Sequence, residues 1–255
     1  MLDILNDLSI NLRGADFVLL ASCAALLGLD KAGLRGTSII TVPVFASYFG
    51  GRQSASIVLP FLLTGDILAL LVYREKIQLS LLKKMLPLAL VGMAVGMILG
   101  NVVSDTVFRM IMACIVLFCL FLMALKEFGQ KDIVLPDHWA AHGAGGFLGG
   151  LSTMIGNAAG PIMAAYLLSL NLPKAVFIGT GALFFFIVNT IKIPVHGAVW
   201  GTLTLDSLKF SVLFLPFIAG GFFLGLKIVK RIPDRPFRIF IIAATLVGTV
   251  RLFFI

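Results

Sequence analysis

Asp30-Lys31-Ala32-Gly33-Leu34-Arg35-Gly36-Thr37-Ser38, running on to Pro43, cuts a strongly apolar stretch with charge and glycine. About half a chain length later, Ser152-Thr153-Met154-Ile155-Gly156-Asn157-Ala158-Ala159-Gly160-Pro161 does the same. Paired interruptions of this kind, at corresponding places in two halves of a membrane chain, point to a transporter's binding site. Composition puts this chain in a membrane. Hydrophobic residues make up 60% of it, charged residues 13%, and the mean hydropathy is +1.08, whereas soluble domains carry roughly 25% charged residues.

Working outward from the breaks, six apolar stretches approach the roughly 20 residues that a bilayer helix needs. They are Ala55–Tyr73, Met85–Val103, Val107–Leu125, Ala175–Ile193, Phe210–Val229 and Phe237–Ile255. Their apolar runs are continuous, without the alternation of a lipid-facing strand, so helices and not a barrel are expected. Four shorter segments, Phe17–Leu29, Thr37–Phe49, Trp139–Leu151 and Ile155–Leu170, flank the two breaks. Each pair is either two tilted crossings or a re-entrant hairpin of half-helices. The acidic start, with Asp3, Asp7 and Asp16 against Arg13, does not read as a signal peptide. Cys23, Cys114 and Cys119 lie in apolar stretches and are odd in number, so no disulfide framework is expected.

An internal repeat explains the pairing. Asp105-Thr106-Val107-Phe108-Arg109 matches Asp234-Arg235-Pro236-Phe237-Arg238, and at the same offset Leu86-Pro87, Gly92 and Gly96 fall on Leu215-Pro216, Gly221 and Gly225. Pro43 pairs with Pro161. The expected fold is an all-α polytopic membrane protein of two inverted five-segment repeats, residues 1–130 and 131–255, each a short broken or re-entrant helix pair plus three full transmembrane helices. An odd number of crossings per unit turns the second unit upside down. Under that topology fourteen of the 20 Lys and Arg fall on one side, and six (Arg13, Arg52, Arg109, Lys192, Lys209, Arg251) on the other. The positive-inside rule then puts both termini outside the cytoplasm. The same bias accounts for much of the net charge of +8, and no basic run with interleaved aromatics suggests nucleic acid. The polar stretch 126–138 reads as the linker between halves, and Pro194–Ser207 as an outer connection with Trp200 at the interface.

The breaks carry chemistry suited to an anion. A half-helix beginning inside the membrane presents unsatisfied N–H groups and the positive end of its dipole. Gly36, Thr37 and Ser38, and Gly156 and Asn157 with Thr153 before them, allow close backbone approach and supply donors. Lys31 and Arg35 lie beside the first break, and a cation at membrane depth is functional by default; the competing reading is an ordinary cytoplasmic turn with Asp30 pairing one of them. Asp66 and Asn189 sit at corresponding depth in the two halves, with Lys192 three residues after Asn189. Asp66 either carries a coupling proton or neutralises Lys31 or Arg35. Pro43 and Pro161 are coupling or gating candidates at the starts of the second segments. Gly92, Gly96 and Gly100 form a small-residue stripe that serves either a homodimer face or, as expected here, internal packing.

These residues resemble the sulfite exporter TauE/SafE family, also called the four-toluenesulfonate uptake permeases. The resemblance is most specific through Gly149-Gly150-Leu151-Ser152-Thr153-Met154-Ile155-Gly156-Asn157-Ala158-Ala159-Gly160-Pro161, then Leu172-Pro173-Lys174, Phe177-Ile178-Gly179-Thr180 and Asn189-Thr190-Ile191-Lys192-Ile193-Pro194. It implies a bacterial inner-membrane secondary transporter of small sulfur-containing anions such as sulfite, sulfonates or sulfoacetate, driven by a proton or sodium gradient. Where many members carry a run of glycines, this chain has Lys31-Ala32-Gly33-Leu34-Arg35-Gly36, which adds positive charge suited to an anion. A passive anion channel using the same basic site is the alternative. An enzyme is not expected: His138, His142 and His196 have no ligand spacing for a metal, acidic residues are almost absent from the spans, and no cofactor is implied.

Overall fold

The computed structural model describes residues 14–37, 41–49, 51–99, 139–157 and 159–251. Among these the chain is predominantly helical, with no strand: α1 (Gly14–Lys31), α2 (Thr41–Phe49), α3 (Gly51–Tyr73), α4 (Leu79–Leu99), α5 (Trp139–Gly156), α6 (Ala159–Ser169), α7 (Lys174–Pro194), α8 (Leu205–Arg231) and α9 (Asp234–Arg251). Four of them, α3, α4, α7 and α8, are long and apolar enough to cross a membrane. Helix α9 carries Asp234, Arg235, Arg238 and Arg251 within its 18 residues, which dilutes its apolar character. The expected span Val107–Leu125, the linker 126–138, the repeat boundary at 130/131, Gly100, Cys114 and Cys119 lie outside the described residues.

Helix ends overrun the apolar stretches. Helix α4 starts at Leu79 and not Met85, and α8 runs from Leu205 to Arg231, 27 residues and about 40 Å at 1.5 Å per residue. The largest difference follows α7. The stretch after Pro194, expected as an outer connection, continues as a single π-helical turn over Val195–Val199 with the His196 side chain wholly buried. Apolar periodicity could not foresee this, because the turn is held by local bonds: Trp200 N–H donates to Val195 O, and the Thr202 and Leu203 amides both donate to His196 O.

The flanking segments resolve into unequal pairs. Helices α1 and α5 each have 18 residues, about 27 Å, whereas α2 and α6 have 9 and 11, about 14 and 17 Å. The short members cannot cross the roughly 30 Å of hydrocarbon alone. Each folds back along its partner. The hydroxyl of Thr41, at the start of α2, donates to Cys23 O near the middle of α1, and Tyr48 Oη donates to Asp16 at the start of α1 (3.2 and 2.6 Å). Tyr166 of α6, the counterpart of Tyr48 when Pro161 is set on Pro43, meets His142 Nδ1 of α5 at 2.5 Å. In both short helices the proline is the third residue, in the first turn, where its missing N–H costs no helical bond.

The chain forms two compact units, residues 1–72 with 185–231, and residues 73–184 with 232–255. Each therefore draws helices from both halves of the sequence. In the first, α1 packs on α8, and Phe45, Phe61, Phe210 and Phe214 make a buried aromatic core with ring centroids 5.1–6.1 Å apart. In the second, α5 packs on α4 and α6 on both α5 and α9. The two main interfaces correspond residue for residue. A β-carbon on Gly221 would overlap the Ala25 carbonyl, and one on Gly92 the Phe147 carbonyl. In the reverse direction, Gly28 meets Ile218 O and Gly150 meets Ala89 O. Gly225 faces Leu29 and Ala32, as Gly96 faces Leu151 and Met154. The glycine stripe thus serves packing within the chain, where absent side chains let two backbones touch.

Neighbouring glycines in α8 give a test. A β-carbon at Gly220 meets nothing within 4 Å, whereas at Gly221 it meets backbone. Gly220→Ala should leave the melting temperature in detergent unchanged or raise it slightly through helix propensity. Gly221→Ala, and likewise Gly92→Ala, should destabilise by about 1–3 kcal/mol through overpacking.

Candidate functional site

Helix α1 ends in a left-handed cap. Gly33 has φ 127°, Gly33 N–H donates to Asp30 O, and Leu34 N–H reaches back to Leu29 O, a pattern that closes a helix when glycine supplies the positive φ. The chain then doubles back: Gly36, at φ 100°, donates its N–H to Asp30 Oδ1 at 2.7 Å, and Thr37 Oγ1 shares its proton between Leu34 O and Leu26 O. Gly36 therefore belongs to the turn that closes α1, Thr37 begins a 3-10 turn that runs into residues outside the described set, and α2 is described from Thr41. Ser38 lies outside the described residues. At the second break Gly156 is the last residue of α5, and Asn157, at φ 54°, donates its N–H to Thr153 O. Asparagine tolerates this left-handed position better than most side chains. Thr153 is buried, and α6 starts at Ala159. The two breaks belong to different compact units.

In the first unit the cap delivers charge into the interior. Lys31 Nζ lies 2.6 Å from Asp66 Oδ1 on α3, and Asn189 Nδ2 on α7 donates to Asp66 Oδ2 at 2.9 Å. One carboxylate thus holds three helices. Of the partners open to Asp66, the structure gives it Lys31, while Arg35 sits 3.6 Å from Asp30. Gly65, next to Asp66, makes room for the lysine stem: a β-carbon there would come within 2.5 Å of Lys31 Cγ. Lys192, one turn beyond Asn189, is fully buried and acts electrostatically on both Lys31 and Asp66. The Phe185 ring lies under both cations, 4.7 Å from Lys31 Nζ and 5.1 Å from Arg35 Cζ, a geometry in which an aromatic face stabilises positive charge.

Five ionisable groups, Asp30, Lys31, Arg35, Asp66 and Lys192, are thus buried together, none more than 5% exposed. In their charged forms they sum to +1. Along α7, Asn189 and Lys192 continue to His196 on the π-turn, whose Nδ1 meets Thr202 Oγ1 at 2.9 Å. Asn189 Oδ1 and His196 Nε2 are the two buried side-chain atoms without a hydrogen-bond partner among the described residues.

Sequence reasoning missed two members of this cluster. Phe185 is one of 22 phenylalanines and nothing in its local pattern marks it. His196 fell in a stretch assigned to the surface, although its spacing of four from Lys192 and seven from Asn189 continues the same helical face. No group of three or more potential metal ligands occurs among the described residues.

An all-α chain with four helices long and apolar enough to cross a membrane defines a multi-pass membrane protein. A family model described as Sulfite exporter TauE/SafE matches residues 20–252, and the chain belongs to that family. It is a family of transporters and not of enzymes. No curated protein and no solved structure matches the chain.

The Lys31–Asp66 pair has a measurable signature. Lys31→Met or Asp66→Leu alone should each destabilise by about 3–5 kcal/mol, because a buried charge loses its partner. The double variant should recover much of that loss, and a thermal-melt double-mutant cycle in detergent reads the coupling.

Proposed function

We propose that this protein is a secondary transporter of a small anion of the sulfur-oxyanion or organosulfonate class, such as sulfite, a sulfonate or sulfoacetate. The observation that carries the proposal is the buried cluster of three cations and two carboxylates, with its formal excess of one positive charge. A buried cluster richer in cations than in carboxylates creates a positive local field that favours a negatively charged solute. Lys31, Arg35 and Lys192 supply charge-assisted donors, and Asn189, bonded to Asp66, completes the polar set. In this reading the backbone-rich breaks, Gly36, Thr37 and Ser38 in the first half and Thr153, Gly156 and Asn157 in the second, supply further donors to the anion.

Asp66 is the coupling residue in this reading. It ties Lys31 to Asn189, so any change in its protonation, or a sodium ion at its oxygens, reorganises all three. Pro43 and Pro161, which open the two short helices, are the gating positions. Family membership supports an inner-membrane location, and the basic-residue bias supports both termini outside the cytoplasm. The same polar cluster would also suit a passive anion channel.

Reconstitution into proteoliposomes tests the proposal. Sulfite or sulfonate flux should fall at least about tenfold in Lys31→Gln, Arg35→Gln and Lys192→Gln, as expected when a charge-assisted bond is lost, and Asn157→Ala should lower it as well. Unchanged flux of every tested anion would overturn the site. Accumulation of anion against its own gradient under an imposed proton or sodium gradient is expected of a transporter, and dissipation alone would establish the channel.

A further inference from the structure

Asn189 has one half of its amide committed and the other half open. Its Nδ2 donates to Asp66, a carboxylate already paired with Lys31. An ionised carboxylate only accepts, so the amide must turn its NH2 toward Asp66 and its carbonyl away. Asn189 is 1% exposed, and its Oδ1 finds no donor among the described residues. An orphaned buried acceptor costs free energy unless something supplies it a proton to share. The neighbouring cations favour an anion, yet a fully deprotonated anion brings only lone pairs and would face this oxygen with more negative charge. The atom therefore discriminates among anions: it suits one that carries its own donor.

We propose that Asn189 Oδ1 accepts a hydrogen bond from the transported solute, so that the site prefers a monoanion bearing an O–H or N–H group beside its acid group over the same anion without one. This rests on the anion-transport reading above and sharpens its substrate class. The chemistry covers a singly protonated oxyanion and a hydroxyl- or amino-bearing sulfonate alike. Asn189 acts by geometry: the Asp66–Lys31 pair fixes which end of the amide meets the solute, which makes Lys31 and Asp66 positioning residues for selectivity as well as for charge.

The test uses matched probes at one pH. Binding of methanesulfonate and hydroxymethanesulfonate, and of ethanesulfonate and hydroxyethanesulfonate, is measured calorimetrically on the purified full chain, with sulfite as a further ligand. In the wild type at least one hydroxyl-bearing member should bind about tenfold or more tightly than its partner, the scale of a buried acceptor gaining its donor. In Asn189→Ala that ratio should fall toward one, and because it is read within a single variant, a general loss of affinity cancels. Equal affinities within both wild-type pairs, or a ratio that survives in Asn189→Ala, would overturn the role of Asn189 and leave anion transport standing. Should Asn189→Ala not fold, the wild-type ratios alone decide. If none of the four sulfonates nor sulfite binds, the anion-transport reading falls and this inference with it.

Discussion

A carboxylate removed from water must be surrounded by donors or lose its charge, and that requirement organises the first unit. Asp66 meets it with Lys31 from the end of α1 and Asn189 from the end of α7. These two bonds fix where three helices stand. Everything nearby follows: Gly65 clears space for the lysine stem, Phe185 lies under Lys31 and Arg35, and Asp30, which Asp66 leaves unneeded by Lys31, takes up Arg35 and the Gly36 amide. Three cations against two carboxylates remain.

Backbone-to-backbone packing is the second constraint. Where α1 meets α8, and α5 meets α4, glycines remove side chains so that carbonyls of one helix lie against the Cα of the next. Lipid offers no hydrophobic drive between helices, so such close contact is what holds them. It also brings the cap at Lys31 to a fixed position, because Gly225 packs on Leu29 and Ala32 at that end of α1.

The sequence made much of this legible. The spans showed as continuous apolar runs, the breaks as glycine and charge between them, and the glycine stripe as four-residue spacing. The site was legible as a set of residue types and not as a set of bonds. Lys31, Arg35, Asp66, Asn189 and Lys192 stood out because polar groups are rare in membrane segments. Which carboxylate takes which cation depends on how α3 and α7 are rotated, and apolar periodicity in a helix buried on several sides does not specify rotation. Gly36 also bonds back to Asp30 at the end of α1, a contact its residue type did not announce because glycine serves both ends of a helix. Phe185 went unnoticed and His196 was read as part of an outer connection, since the importance of both lies in what surrounds them.

The exchange of helices between halves bears on how the protein is made. Helix α1 leaves the ribosome long before α8, its main packing partner, and before Asn189, which shares the Asp66 carboxylate with Lys31. During synthesis the first half must wait in the bilayer with glycine faces bare and a lysine and aspartate relying on each other alone. Maturation is therefore a late, concerted event, and fragments severed between the halves would be incomplete apart yet could mend one another when produced together.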